Sequence, residues 1–317
     1  MRRPPKQTPR QDAIGRRLRH IPQSTGKRIE LTETDILRFE FLHRHGDLPA
    51  PFIHEYTRHL VKNYQSTYKR LGRLFHEKKT DHNGTYLERD PRQWATRNAD
   101  YNYIVYRTNK RSDAVLRELG LYRENTPQTS SSWTHDFLRA CYSASIELAC
   151  LREPDKYGYI HHDEIMDRIG DVSFSADGET FRPDLIHGIR YKENGSARLF
   201  MVEIDCNTEQ GRSTKKNKDR TYQHKLEIYK SYISGGLYKE DFGMAGGLMM
   251  VTVTTNPTHL DNLIEIADDL FENGSNYMLF NYVDGFGYYF EPPKKAFALF
   301  EEPWIRAGRE SFQMNAA

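Results

Sequence analysis

Three acids on two neighbouring segments carry the first chemical signal in this chain: Asp184 in Arg182-Pro183-Asp184, with Glu203 and Asp205 in Val202-Glu203-Ile204-Asp205. Both segments read as strands, over 182–191 and 198–206, joined by Glu193-Asn194-Gly195-Ser196. An Asn-Gly pair favours a two-residue type I′ turn, and that turn sets the register so that Asp184 lies opposite Asp205. Strand side chains alternate, so Glu203 shares the face of Asp205 and sits diagonally from Asp184. Three carboxylates then converge, and like charges opposed across a sheet need a cation or a proton to relieve them. A ligand set made only of oxygen suits Mg²⁺ or Mn²⁺. A one-residue slip of register would instead turn one or more of these acids to solvent.

Other chemistries find less support. His43-Arg44-His45 is the nearest approach to a His-hydrophobic-His metal site, and it falls within a helix of the first half. His161 and His162 are adjacent, so their side chains diverge on any regular element. Neither a GxxxxGK[ST] phosphate loop nor a GxSxG elbow is present. Cys141, Cys150 and Cys206 form no CxxC pair and read as reduced thiols in the core. The twenty tyrosines could stack unpaired bases, but most read as packing. The longest nearly apolar stretch, around 244–253, is too short to span a bilayer, and the basic N-terminal segment lacks the apolar run of a secretory signal. The expectation is a cytoplasmic protein without a membrane span.

The elements that must position the acids sit behind a region of opposite charge. Residues 1–124 hold 26 Lys/Arg against 15 Asp/Glu, whereas the remainder holds 20 against 29. A basic module for a polyanion joined to an acidic, metal-binding one explains that split, and two solvated surfaces with accidental bias explain it as well. Residues 1–28 carry nine Arg/Lys, one acid and four prolines, and read as a basic disordered tail able to grip phosphates. Three helices follow, the first opening at Thr32 or Thr34, the second over 49–60 and the third over 63–79. Tyr64, Tyr68, Leu71, Leu74 and Phe75 share one face of the third helix, while Gln65, Ser66, Lys69, Arg70 and Arg73 occupy the rest. Short strands over 85–89 and 101–107 complete the order of a winged helix, over 29–124. In that fold the third helix enters the major groove of DNA, where those polar side chains meet base edges and phosphates. An ordinary solvated helical face is the plainer alternative. A linker over 125–134 leads to the second domain, 135–310.

That domain reads as an amphipathic helix over 134–151, a short helix around 162–169, the two acid-bearing strands, a helix over 220–234, a strand over 248–254, a helix over 257–271 and a strand over 277–282. A Tyr/Phe-rich tail ends it. The fold class is α/β, with an α-β-β-α-β core behind the winged helix.

With Pro183-Asp184 on one strand and Glu203-Ile204-Asp205 on the next, the second domain resembles the PD-(D/E)xK nucleases, a restriction-endonuclease-like core. The wider pattern adds Cys206-Asn207-Thr208-Glu209 after Asp205, then Lys225 and Tyr229 on a helix. With the N-terminal winged helix, it resembles the plasmid replication-relaxation family, which includes MobC-type relaxases. The resemblance implies metal-dependent nicking or cleavage of plasmid or other mobile-element DNA, alongside accessory relaxosome or replication proteins. It places Asp184, Glu203 and Asp205 at the metal, with Thr208, Glu209 and Tyr229 orienting those ligands from behind; a turn ending the strand is the simpler reading of Thr208 and Glu209. Asp205 stands where the superfamily carries its lysine, so Lys225 would deliver the ammonium from the following helix, sharing a helical face with Tyr229. A surface lysine is the competing reading. His135 and Asp136 open the first helix of the domain, where they could approach the site or merely cap the helix. A replication initiator or transcriptional regulator that keeps the fold and the DNA binding without the cleavage is the alternative.

Overall fold

A computed structural model of the chain describes residues 18–77, 85–94, 103–127, 130, 132–170, 173–206, 211, 221–243, 246–283 and 298–316. Most of the basic tail, Thr208 and Glu209 lie outside them. The architecture is mixed α/β, with helices on both faces of a large, mostly antiparallel sheet.

In the N-terminal part, α1 (Glu33–His45) starts at Thr32, whose hydroxyl accepts from the Asp35 N–H while the Asp35 carboxylate accepts from the Thr32 N–H. Strand β1 (Leu48–Pro49), α2 (Ala50–Thr57), α3 (Tyr64–His76), β2 (Leu87–Glu88), β3 (Val105–Thr108) and α4 (Lys110–Glu118) follow. Asn63 caps α3 by accepting from the N–H groups of Gln65 and Ser66. The strands form an antiparallel sheet in the order β1-β3-β2. Local pattern gives no hint of β1, because two residues ending in proline show no alternation.

The larger part begins with α5 (Trp133–Arg152), continues through β4 (Tyr157–Ile160), α6 (His162–Ile169), β5 (Phe174–Ala176) and β6 (Glu179–Phe181), and reaches the acid-bearing hairpin β7 (Leu185–Tyr191) and β8 (Ser196–Asp205). Helices α7 (Tyr222–Ser234) and α8 (Tyr238–Phe242), strand β9 (Gly247–Thr254), α9 (Pro257–Leu270), β10 (Met278–Tyr282), α10 (Ala298–Glu301), β11 (Trp304–Arg306) and β12 (Arg309–Phe312) complete it. Seven strands form one sheet in the order β12-β11-β10-β9-β8-β7-β4. The steps β8–β9 and β9–β10 are parallel and the others antiparallel. The core is therefore longer than α-β-β-α-β: β4 flanks the hairpin, and part of the expected Tyr/Phe-rich tail adds two strands at the far edge.

Helix α5 is buried from Asp136 to Cys150 on every side, not on one stripe as an amphipathic helix would be. It lies between the sheet and the N-terminal helices, so both of its faces meet protein. One apolar cluster runs from Phe41 and Leu42 of α1 through Phe137, Ala140 and Cys141 to Val202, Ile204, Val251 and Val253 of the sheet. A second cluster covers the opposite face, with Ile186, Leu199, Met201, Met250 and Met278 beneath Leu226 and Tyr229 of α7 and Leu260 and Leu263 of α9.

Candidate functional site

Register decides where the acids go. Strands β7 and β8 pair Leu185 with Val202 and Tyr191 with Ser196, leaving the four residues 192–195 in the turn. Gly195 has φ +69° and Asn194 is not among the residues of positive φ, so the turn is not type I′, which needs positive φ at both central positions. Continuing the register puts Asp184 opposite Glu203, not opposite Asp205. The difference of two positions preserves side-chain parity, so the three acids keep to one face of the hairpin despite the misplaced pairing.

Each acid is held by its own donor. Asp184, at the entry to β7, accepts from the Ile204 N–H at 2.8 Å and from His135 Nε2 at 3.1 Å. Burial raises the Asp184 carboxyl, but His135 and the Ile204 N–H outweigh it and hold the group below its usual range. Reciprocally, burial opposes the charge on His135, yet Asp136 and Asp184 carry it up to about 9. Glu203 is 4% exposed, and its carboxylate accepts from Lys225 Nζ at 2.7 Å and from the Tyr229 hydroxyl at 2.6 Å. Burial pushes Glu203 up to about 7, with Lys225 opposing and Asp184 adding to the rise. Asp205 is buried and meets His259 Nε2 at 2.6 Å.

The helices that deliver these donors begin at the right end of the sheet. Thr221 caps α7 through the His224 N–H, so Lys225 and Tyr229, four residues apart, face the ends of β7 and β8 from its first two turns. Asn256 caps α9, with Pro257 at the first helical position, and sets His259 in the first turn beside Asp205. Ser132 caps α5 and places His135 beside Asp184. His259 escaped the sequence reading. Its signal was an Asn-Pro helix start directly after a strand parallel to the one carrying Asp205.

Among the described residues no group of three His, Cys, Asp or Glu side chains is arranged to hold a metal ion. In its place, each acid meets a protein side chain: Asp184 meets His135, Glu203 meets Lys225 and Tyr229, and Asp205 meets His259. A two-carboxylate set still suits a hard cation, since Mg²⁺ commonly binds through one or two protein carboxylates and completes its shell with water and phosphate oxygens. Thr208 and Glu209 lie outside the described residues, so no contact is assigned to them.

On α3, Gln65, Ser66, Lys69 and Arg73 are exposed, and Lys62 extends their surface at the N-terminal end. Arg70 departs from this set. Its guanidinium binds Asp35, with Nε 3.1 Å from both carboxylate oxygens and Nη2 2.5 Å from Oδ2, and reaches the Glu30 carbonyl. Asp35 is fully buried, so Arg70 ties α3 to α1 and is not presented to a partner. Tyr68, expected inside, is 37% exposed, and Thr67 is buried on that side of the helix.

No helix among the described residues is long and apolar enough to cross a membrane. Comparison with family models, curated proteins and solved structures finds no match to this chain.

Proposed function

We propose that this chain binds plasmid or other mobile-element DNA through an N-terminal winged helix and nicks it by divalent-metal-dependent hydrolysis in a PD-(D/E)xK-like domain. The observation that carries the reading is the 2.7 Å contact between Lys225 and Glu203, beside Asp184 on the adjoining strand. It supplies from α7 the ammonium that the strand itself lacks at Asp205. Supporting it, an antiparallel run β4-β7-β8 is followed by α7 and by β9 parallel to β8. The N-terminal order α1-β1-α2-α3-β2-β3, with exposed Gln65, Ser66, Lys69 and Arg73 on α3, supports the DNA-binding half.

Asp184 and Glu203, with Asp205 behind them, would hold Mg²⁺ or Mn²⁺, which polarises the scissile phosphate and activates water when bound. Lys225 stabilises negative charge developing on the phosphate. Tyr229 fixes the Glu203 carboxylate by donating to it, and His259 fixes Asp205. His135 holds Asp184 at the mouth of the site.

Supercoiled plasmid incubated with Mn²⁺ or Mg²⁺, with an EDTA control, tests the reading because a single nick relaxes the whole circle. Nicking should need the metal and disappear in Asp184→Asn and Glu203→Gln while duplex binding persists. Confirmed duplex binding with no nicking in either metal would sink it. A second reading, a replication initiator or transcriptional regulator without cleavage, is favoured by the fact that every acid already has a protein donor. That same result would support it.

A further inference from the structure

A cavity of about 440 Å³ opens beside Asp184, between the first turn of α5, helix α6 and the segment entering β7. Its volume is that of a pocket enclosing a small ligand and is too small for a stacked base pair. Its lining carries both signs of charge, with Arg182 and Arg139 beside Glu124 and Asp184. Arg182 is exposed, and Arg139 is 5% exposed, 3.5 Å from Asp136. The same lining includes Met166 and the His162 ring on α6, with Pro127 and Pro183. The ring is set in place by the backbone of Ile186, whose N–H and carbonyl both lie 3.2 Å from Nδ1. An exposed, permanently charged guanidinium sharing one cavity with an imidazole ring and apolar side chains matches a molecule with an anionic end and a planar end.

We propose that this cavity is a subsite for one unpaired nucleotide next to the phosphate that is cut, its base against His162 and Met166 and its phosphate toward Arg182. The proposal rests on the nuclease reading for its place in a reaction and deepens it. The substrate is a strand that is single at this point, not a continuous duplex. Asp184 lines the same cavity, so a nucleotide seated there sets its neighbouring phosphate against the acids.

The test uses the full chain in EDTA, so that no cleavage enters the readout, with thymidine 5′-monophosphate as probe in calorimetry and saturation-transfer NMR. Binding should appear, and both Arg182→Gln and Met166→Ala should weaken it at least tenfold. Arg182 is exposed with no hydrogen bond to another described residue, so its variant should fold normally. Absence of binding overturns the proposal, as does unchanged affinity in Arg182→Gln. Inorganic phosphate binding as tightly as the nucleotide also overturns it, because the cavity would then read only an anion. Nicking without nucleotide binding removes the subsite and leaves the nuclease reading standing. Nucleotide binding without nicking supports the cavity and removes the nuclease reading.

Discussion

Lys225 stabilises two acids with one ammonium, because its charge lowers the pKa of both Glu203 and Asp184. Glu203 depends on it more, being buried and already raised to about 7. In Lys225→Met the Glu203 carboxyl should therefore titrate higher still and be protonated at neutral pH, giving a new carboxylic-acid band in difference infrared spectra that Glu203→Gln removes. Lys225→Arg should show no such band. If cleavage occurs, Lys225→Met should slow it roughly a hundredfold or more. Two neighbours on α3 divide just as sharply. Arg70→Ala strips a partner from the fully buried Asp35 and should cost about 1–3 kcal/mol of stability, Arg38 at 3.2 Å still remaining. Lys69→Ala and Arg73→Ala should change stability by less than about 0.5 kcal/mol; on the proposed DNA-binding reading, each should weaken duplex binding and reduce its salt slope by about 1. Equal stability losses at all three positions would contradict the placement of Arg70. Residue type alone gave Arg70 the same meaning as Lys69. Only the pairing with Asp35, 35 positions away, separates them.

The elements whose pattern is local were legible, and those that exist only through distant pairing were not. Helix α3 announces itself by Asn63 and its apolar spacing, and α9 by Asn256-Pro257, because caps and periodicity are short-range physics. Strand β4 reads Tyr-Gly-Tyr-Ile and is held by Gly188 to Tyr191 of β7, and β11 and β12 by each other and by β10, none of which local alternation can reveal. The face of the acids was legible and their register was not, since parity follows from alternation whereas register follows from turn length. The joint between α1 and α5 was hidden for the same reason as β4. There Glu147 accepts from Arg44 at 2.9 Å and from His45 at 2.5 Å, and His45 also meets Ser143 at 2.7 Å. Burial raises Glu147, but Arg44 and His45 together bring it down to about 2, below its ordinary value of 4.5. A depressed carboxyl stabilises the fold fully above its unfolded pKa and loses that contribution as pH falls from about 4.5 toward about 2. Thermal melts should thus show an acid limb in that window that Glu147→Gln flattens. The variant should also lose about 3 kcal/mol at neutral pH, because Arg44 remains largely buried with Glu40 as its one remaining carboxylate partner and the neutral Tyr56 hydroxyl. An unchanged acid limb would show that the network does not hold the two helices.

At the scale of the whole chain, the charge split and the apolar core point in different directions. A basic first part and an acidic remainder suggest two independent domains joined by a linker. The cluster that passes from Phe41 through Ala140 and Cys141 to Val202 crosses that boundary without a break, and α5 is buried by both parts at once. Separating them would expose apolar surface on α1, α2 and α5 that neither part can cover alone, so each stabilises the other. Tryptophans report on this directly, Trp94 lying in the N-terminal part and Trp304, fully buried, in the large sheet. Variants retaining only Trp94 or only Trp304, followed by fluorescence through a urea titration, should unfold with coincident midpoints, as one cooperative unit requires. Widening the α1–α5 contact by Ala140→Gly should lower both midpoints together. Separate midpoints, with the Trp94 reporter unfolding while Trp304 remains native, would show that the shared core is a contact between two folding units and that the N-terminal part can move independently of the acids.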